Sequence, residues 1–253
     1  MARSKKEPAK KKTRKKAKQK SRKQQAPGKI RLVFRWAGYV ATGLVILSFA
    51  FVLPFRWVNP TTSAFMLADD SGRVPVMHEW VAWEEIGTAA PLAVVAAEDQ
   101  RFAEHFGLDL KAIQKAVEES EDGGGLRGAS TITQQTVKNM YLWSGRSFVR
   151  KGLEAWLTIV MEISLPKQRI LEIYLNIVEL GPGIYGVGAA SEYFFGKTPA
   201  NLSDSQAALL AAVLPNPIRF QVDHPSDYVR ERQQWILGHL RRMRREGWLT
   251  LIN

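Results

Sequence analysis

The chain has 253 residues, 36 Lys and Arg against 24 Asp and Glu, a net charge of +12 and no cysteine. That length holds one sizeable domain plus extensions, and the missing thiols exclude disulfides, thiolate-type zinc sites and cysteine nucleophiles. The positive balance is local: residues 1–35 carry 16 basic side chains and one acid, Glu7, while the remaining 218 residues carry 20 basic and 23 acidic ones.

Residues 1–35 form a Lys/Arg tract rich in Gln, Ala and Pro, which cannot bury apolar surface and is expected to be disordered. Such a tract suggests a nucleic-acid arm, but the segment after it argues otherwise. Trp36 to Phe55 is uncharged and lies between Arg35 and Arg56. Twenty residues at about 1.5 Å each span roughly one hydrocarbon core. Residues 36–56 therefore read as a transmembrane signal anchor, with Trp36, Tyr39 and Trp57 at interfacial depth. A cleaved signal peptide is the alternative, although the run exceeds the usual hydrophobic region and its small-residue cleavage candidates are weakly placed. The positive-inside rule places the tail in the cytoplasm and everything after Trp57 across the membrane. The tail then serves as a topology determinant with affinity for anionic lipid, and no nucleic-acid partner is expected.

Residues 57–88 read as a connector and 89–253 as the folded domain. Helices are predicted over 91–100 and 109–119, the second capped by Asp109. A loop from Glu118 to Gly128 follows, with Gly123-Gly124-Gly125 in its middle. Further helices are predicted from Ser130 to Leu142, Phe148 to Leu165 and Pro166 to Leu180. Ser203-Asp204-Ser205-Gln206 is a capping box for another, and an amphipathic helix spans Ser226 to Arg245. Almost nothing alternates with period two, so the domain is expected to be mostly α with no parallel sheet.

Three motifs fit a pattern without its context. Gly181-Pro182-Gly183-Ile184-Tyr185-Gly186 matches GxGxxG but follows a helix instead of a strand. Gly123 to Ser130 resembles a P-loop with Ala129 in the lysine position, so no cation reaches a phosphate. Ser164-Leu165-Pro166-Lys167 matches the SxxK of serine acyl-enzymes, but the SxN and KTG partners are absent. Ser164 reads better as an N-cap for the helix opened by Pro166. The four histidines lack metal-ligand spacing.

Chemistry is concentrated in three segments. Glu98-Asp99 closes the apolar run Pro91–Ala97, and two carboxylates there are costly unless partnered or used. Ser130-Thr131-Ile132-Thr133-Gln134-Gln135 is a polar run suited to a hydroxyl-rich ligand. In Arg150-Lys151-Gly152-Leu153-Glu154, the i,i+3 and i,i+4 spacings put Arg150, Lys151 and Glu154 on one helix face. Apolar flanks make that helix look largely buried, so its charges need a task. Lys138, Asn139 and Arg146 complete a set of two carboxylates, several cations and a polar lining. Behind a membrane anchor, this set suggests glycosyl transfer from a diphosphate donor: one carboxylate as base, and fixed cations or a divalent ion for the leaving group. The residues alone also fit a lysozyme-like hydrolase, which needs two carboxylates but no cation cluster.

From Pro91 to Pro217 the chain resembles the peptidoglycan glycosyltransferases, in five ordered motifs. They are Glu98-Asp99…Phe102…His105…Gly107, Gly128…Ser130–Gln135, Arg150-Lys151…Glu154, Lys167…Ile170-Leu171-Glu172…Tyr174-Leu175-Asn176, and Gly181…Gly183…Gly186…Ala189-Ala190…Tyr193–Lys197. The resemblance implies a lysozyme-like helical domain with a membrane-dipping lobe at the bacterial inner membrane, its catalytic domain periplasmic. It implies polymerisation of lipid II onto a growing lipid-linked glycan strand, inverting α to β and releasing undecaprenyl diphosphate. Glu98 would be the base. Glu154, with Lys138, Arg146, Arg150 and Lys151, would steady the diphosphate, with magnesium or manganese at Glu154 as an option and no organic cofactor. Ser130, Thr131, Gln134, Gln135 and Asn139 would position sugars or phosphate; Asp99, Phe102, His105, Glu172 and Asn176 would support the site. Cell-wall synthesis machinery would be a further partner. Only about 36 residues follow Pro217, so no transpeptidase domain is expected.

Overall fold

A computed structural model describes Met1 and residues 27–121, 130–145 and 147–252. Residues 2–26 of the basic tail, the acidic and glycine loop over 122–129, Arg146 and Asn253 lie outside the described residues, while 27–35, expected to be disordered with the rest of the tail, are helical. Two compact units are present, Met1–Ser48 and Phe49–Asn253.

The first unit holds most of helix α1 (Pro27–Val52). It is the one described helix long and apolar enough to cross a membrane, and it turns Phe34, Trp36, Tyr39, Leu44 and Ile46 outward. It starts nine residues before the apolar run, at a proline, which suits a first helical turn. Regular α-structure stops at Val52 and a 3-10 turn, Leu53–Arg56, follows with Pro54 near its start. The proline lacks the N–H that the next turn needs.

The second unit begins with the connector, which contains α2 (Ala64–Leu67), capped by the Ser63 hydroxyl, and β1 (Met77–His78). The domain helices are α3 (Ala89–Glu98), α4 (Leu110–Glu121), α5 (Ile132–Tyr141), α6 (Phe148–Ser164) and α7 (Lys167–Ile177). After the strands β2 (Glu179–Gly181) and β3 (Ile184–Tyr185) come α8 (Gly186–Phe195), α9 (Asp204–Val213) and α10 (Asp227–Arg245). Asp109, Ser203 and Ser226 cap their helices, so the polar residues before apolar runs mark the starts correctly. Ser164 does not cap: it is the last residue of α6, its hydroxyl bonds back to the Val160 carbonyl, and Pro166 opens α7 with no side-chain cap.

Helix α3 is buried from Ala89 through Ala96. It packs against α9 and α10, while α5 packs against α6 and α7. Alanines at 207, 208, 211 and 212 of α9 are also buried, as are Leu92, Val94 and Val95 of α3. Each of those three larger side chains contributes about 1.5–3 kcal/mol of hydrophobic stabilisation.

Two expectations fail here. A small sheet of order β1-β3-β2 forms, with β2 antiparallel and β1 parallel to β3. Its strands are two or three residues long, too short to show a period. The GxGxxG glycines belong to this hairpin and to the start of α8. Gly186 takes φ +79°, where a Cβ would lie 2.4 Å from the Asn176 carbonyl oxygen. Helix α6, expected to be buried, exposes Phe148, Val149, Leu153, Trp156 and Ile163 and buries Glu154, Thr158, Val160 and Met161.

The connector is held by buried polar groups of α7. Glu172 accepts from the Trp83 N–H (3.1 Å) and from Arg169 (2.7 Å). Asn176 bonds both the N–H and the carbonyl of Val81, imitating a strand partner.

At the start of β2, burial raises the Glu179 carboxyl to about 7, helped by the nearby negative charges of Asp69 and Asp70 and opposed by a backbone hydrogen bond from Gly183. The folded value lies above the 4.5 of an unperturbed glutamate. This group therefore favours the fold fully below about pH 4.5, and the contribution is lost as pH rises through about 7. Glu179→Gln is expected to flatten the dependence of unfolding temperature on pH over that window. Equal slopes for variant and wild type in thermal melts would contradict it.

Candidate active site

The α3 helix ends in two acids with different tasks. Asp99 accepts from His105 Nε2 at 2.9 and 3.0 Å and from the Ile132 backbone N–H at 3.0 Å. It therefore joins the segment after α3 to the N-terminus of α5, where unpaired backbone donors and the helix dipole favour an anion. Thr131 donates to the Gly107 carbonyl at 2.6 Å. Gly107 has φ +74°, and a Cβ there would lie 2.6 Å from Thr158 Cγ2, so the segment lies tight against α6. Thr133 and Lys167 both bond the Glu162 carboxylate, at 2.5 and 2.8 Å. Lys167 also sits 4.4 Å from the centre of the buried Phe102 ring.

Glu98 is held at both oxygens. Gln135 Nε2 donates to Oε2 at 2.8 Å, and the Tyr174 hydroxyl donates to Gln135 Oε1 at 2.9 Å. That second bond fixes the amide so that its N–H₂ faces the carboxylate. Arg232 of α10 approaches Oε1 at 3.3 Å. The Glu98 side chain keeps 13% exposure, enough to meet a ligand.

One turn beyond Gln134 on α5, burial pushes the Lys138 ammonium down; the Glu154 carboxylate opposes this, Arg150 adds to it, Glu98 opposes it and Lys151 adds to it. Its ammonium also lies 5.3 Å from the Phe65 ring centre. Glu154, 3% exposed, is paired with Arg150 at 3.0 Å and with Lys151. The Arg150 Nε is buried without a partner among the described residues. Within this cluster the cations exceed the acid, which leaves positive charge for an anionic group.

The sequence-derived candidates therefore separate. Glu98, Gln135, Lys138, Arg150, Lys151 and Glu154 form the site, with Ser130 exposed at the start of α5 and Asn139 buried next to Lys138. Thr131 and Gln134, expected to face the ligand, instead close the reciprocal capping box of α5 and are both 3% exposed. Asp99, Phe102 and His105 hold the loop in place, and Glu172 and Asn176 hold the connector. Arg146 lies outside the described residues. Arg232 was missed. It is half-buried on α10, next to the buried Gln233 and one turn from the buried Val229 and Ile236, and an arginine bordering an apolar helix face was the available signal.

The site residues do not fit a protein-held metal. Both Glu154 oxygens are already engaged by cations, and no group of three or more suitable side chains occurs among the described residues.

The hydrogen-bonded Glu98 and the cation-bound Glu154 offer this helical domain groups for proton transfer and charge stabilisation. Comparison with known proteins specifies the chemistry further. The chain matches the transglycosylase family over residues 69–241. A biosynthetic peptidoglycan transglycosylase of Shewanella oneidensis is 46% identical over 226 residues, 88% of this chain and 96% of that relative. Proteins of the same name from Marinomonas sp. (50% identical, 81% of this chain and 89% of the relative) and Cronobacter sakazakii (56%, 87% and 91%) are also similar. The chain belongs to the transglycosylase family, whose domain has a lysozyme-like helical fold.

Because Thr131 both caps α5 and ties down Gly107, Thr131→Val is expected to lower stability by about 1–2 kcal/mol. Ser130→Ala is expected to change it by less than about 0.5 kcal/mol. Urea unfolding in detergent compares them; equal stabilities would remove the capping role.

Proposed function

We propose that this chain polymerises lipid II into linear peptidoglycan strands, with Glu98 as the general base. The reading rests on the partly exposed Glu98 carboxylate, held by Gln135 at 2.8 Å, in a domain whose buried Glu154 gathers Arg150 and Lys151. Glu98 takes the proton of the acceptor N-acetylglucosamine 4-hydroxyl. The freed oxygen bonds to the anomeric carbon of the donor N-acetylmuramic acid from the face opposite its diphosphate. The carbon–oxygen bond to the diphosphate breaks and its electron pair leaves on undecaprenyl diphosphate, so α becomes β.

Lys138, Arg150 and Lys151 meet the charge that builds on the leaving group, with Arg146 from the adjacent segment. Partly buried cations act strongly there because little water screens them and no reorganisation is needed. Glu154 holds Arg150 and Lys151 in one orientation. A strand-cleaving hydrolase has no diphosphate to expel, and the cation cluster would then lack a task.

The exposed apolar face of α6 and the apolar helix α1 support a chain anchored in the inner membrane, with α6 dipping into the leaflet that holds the lipid-linked substrates. The Lys/Arg bias supports a cytoplasmic tail and a periplasmic domain. The relatives are named for transglycosylation, and the chain spans 96%, 89% and 91% of their lengths. This supports strand synthesis.

Glu98→Gln is expected to lower polymerisation of labelled lipid II by roughly 10²–10⁴-fold while leaving its binding nearly unchanged. Glu154→Gln, which frees two cations from their anchor, is expected to lower kcat severely. Near-normal strand synthesis by Glu98→Gln would remove it from the mechanism. Turnover of finished glycan with none of lipid II would identify a hydrolase.

A further inference from the structure

Glu98 ends α3, where the unpaired carbonyls of the last turn carry partial negative charge. A carboxylate is disfavoured there unless a cation offsets it. That cation comes from the far end of the domain. One terminal nitrogen of Arg232 lies 3.3 Å from Glu98 Oε1 and 3.4 Å from the Ala97 carbonyl oxygen, so it serves the acid and the helix end together. The Arg232 side chain is 24% exposed, and its Nε is buried without a partner among the described residues. A partly buried guanidinium is costly unless its charge is paired, and Glu98 is the acid that pairs it.

We infer that Arg232 is a positioning residue for the Glu98 base, an inference that rests on the catalytic reading above. Arg232 fixes one carboxylate oxygen and offsets the negative helix end, while Gln135 and Tyr174 fix the other oxygen. Asp99, the adjacent acid, is occupied with His105 and Ile132, and Lys138 lies over the Phe65 ring. Neither replaces the guanidinium at Oε1.

The test uses the full chain and labelled lipid-linked disaccharide-pentapeptide, comparing wild type with Arg232→Met, Arg232→Lys, Glu98→Gln and the Glu98→Gln/Arg232→Met double variant. Arg232→Met is expected to lower kcat roughly 10–100-fold, as a fraction of what a general base supplies. KM is expected to stay within about threefold, because the lost interaction acts on the chemical step. Arg232→Lys should recover part of the rate. The double variant should be no slower than Glu98→Gln alone, because Arg232 acts through Glu98. A purely structural arginine would instead give multiplied losses in the double variant, and that outcome overturns the inference. Normal kcat in Arg232→Met, or a change confined to KM, overturns it too. If the methionine variant fails to fold, the lysine variant decides, since it must show reduced kcat at unchanged KM and unfolding temperature. A wild-type protein that does not turn over this substrate would defeat the catalytic reading instead, and so separates the two failures.

Discussion

The Asp99 carboxylate joins the end of one buried helix to the start of another, and the site depends on that joint. It binds His105 and the first backbone N–H of α5, which sets α5 at a fixed angle and height beside the end of α3. Only in that arrangement does Gln135, one turn into α5, reach Glu98 at 2.8 Å. Lys138 follows a turn further along, its ammonium 5.3 Å from the Phe65 ring centre. Two adjacent acids thus divide the work: one holds the frame, and the other stays partly exposed within it.

The charges of the site follow one rule. Three of the site's acids each have a cation, and the cations outnumber the acid where an anion must be met. Glu98 has Arg232, Glu154 has Arg150 and Lys151, and Glu162 has Lys167. Lys138 has no ion pair among the described residues and lies over Phe65 instead. A cation already stripped of much of its water loses less on meeting a ligand phosphate.

Much of the fold was legible in the sequence. Ser203, Ser226 and Asp109 announce helix starts because their side chains replace backbone partners that the first turn lacks. The hairpin was not legible, since strands of two or three residues carry no periodicity. Ser164 misled because a serine before a proline can equally end the preceding helix, bonding back to Val160. Within the site, residue types were legible but orientation was not. Thr131 and Gln134 belong to the same polar run as Gln135, yet helix geometry turns the first two into the cap and the third toward Glu98. Arg232 escaped because it comes from a segment beyond the five motifs, and a long-range contact leaves no local pattern.

Helix α6 reverses the usual arrangement, with its acid inside and its phenylalanine, tryptophan and isoleucine outside. Water would drive such a face to associate with anything apolar. Cutting the chain after Arg56 would therefore not produce a freely soluble enzyme. The remaining domain would still behave as an amphiphile, and its colloidal behaviour would follow from the same helix that orders the cations.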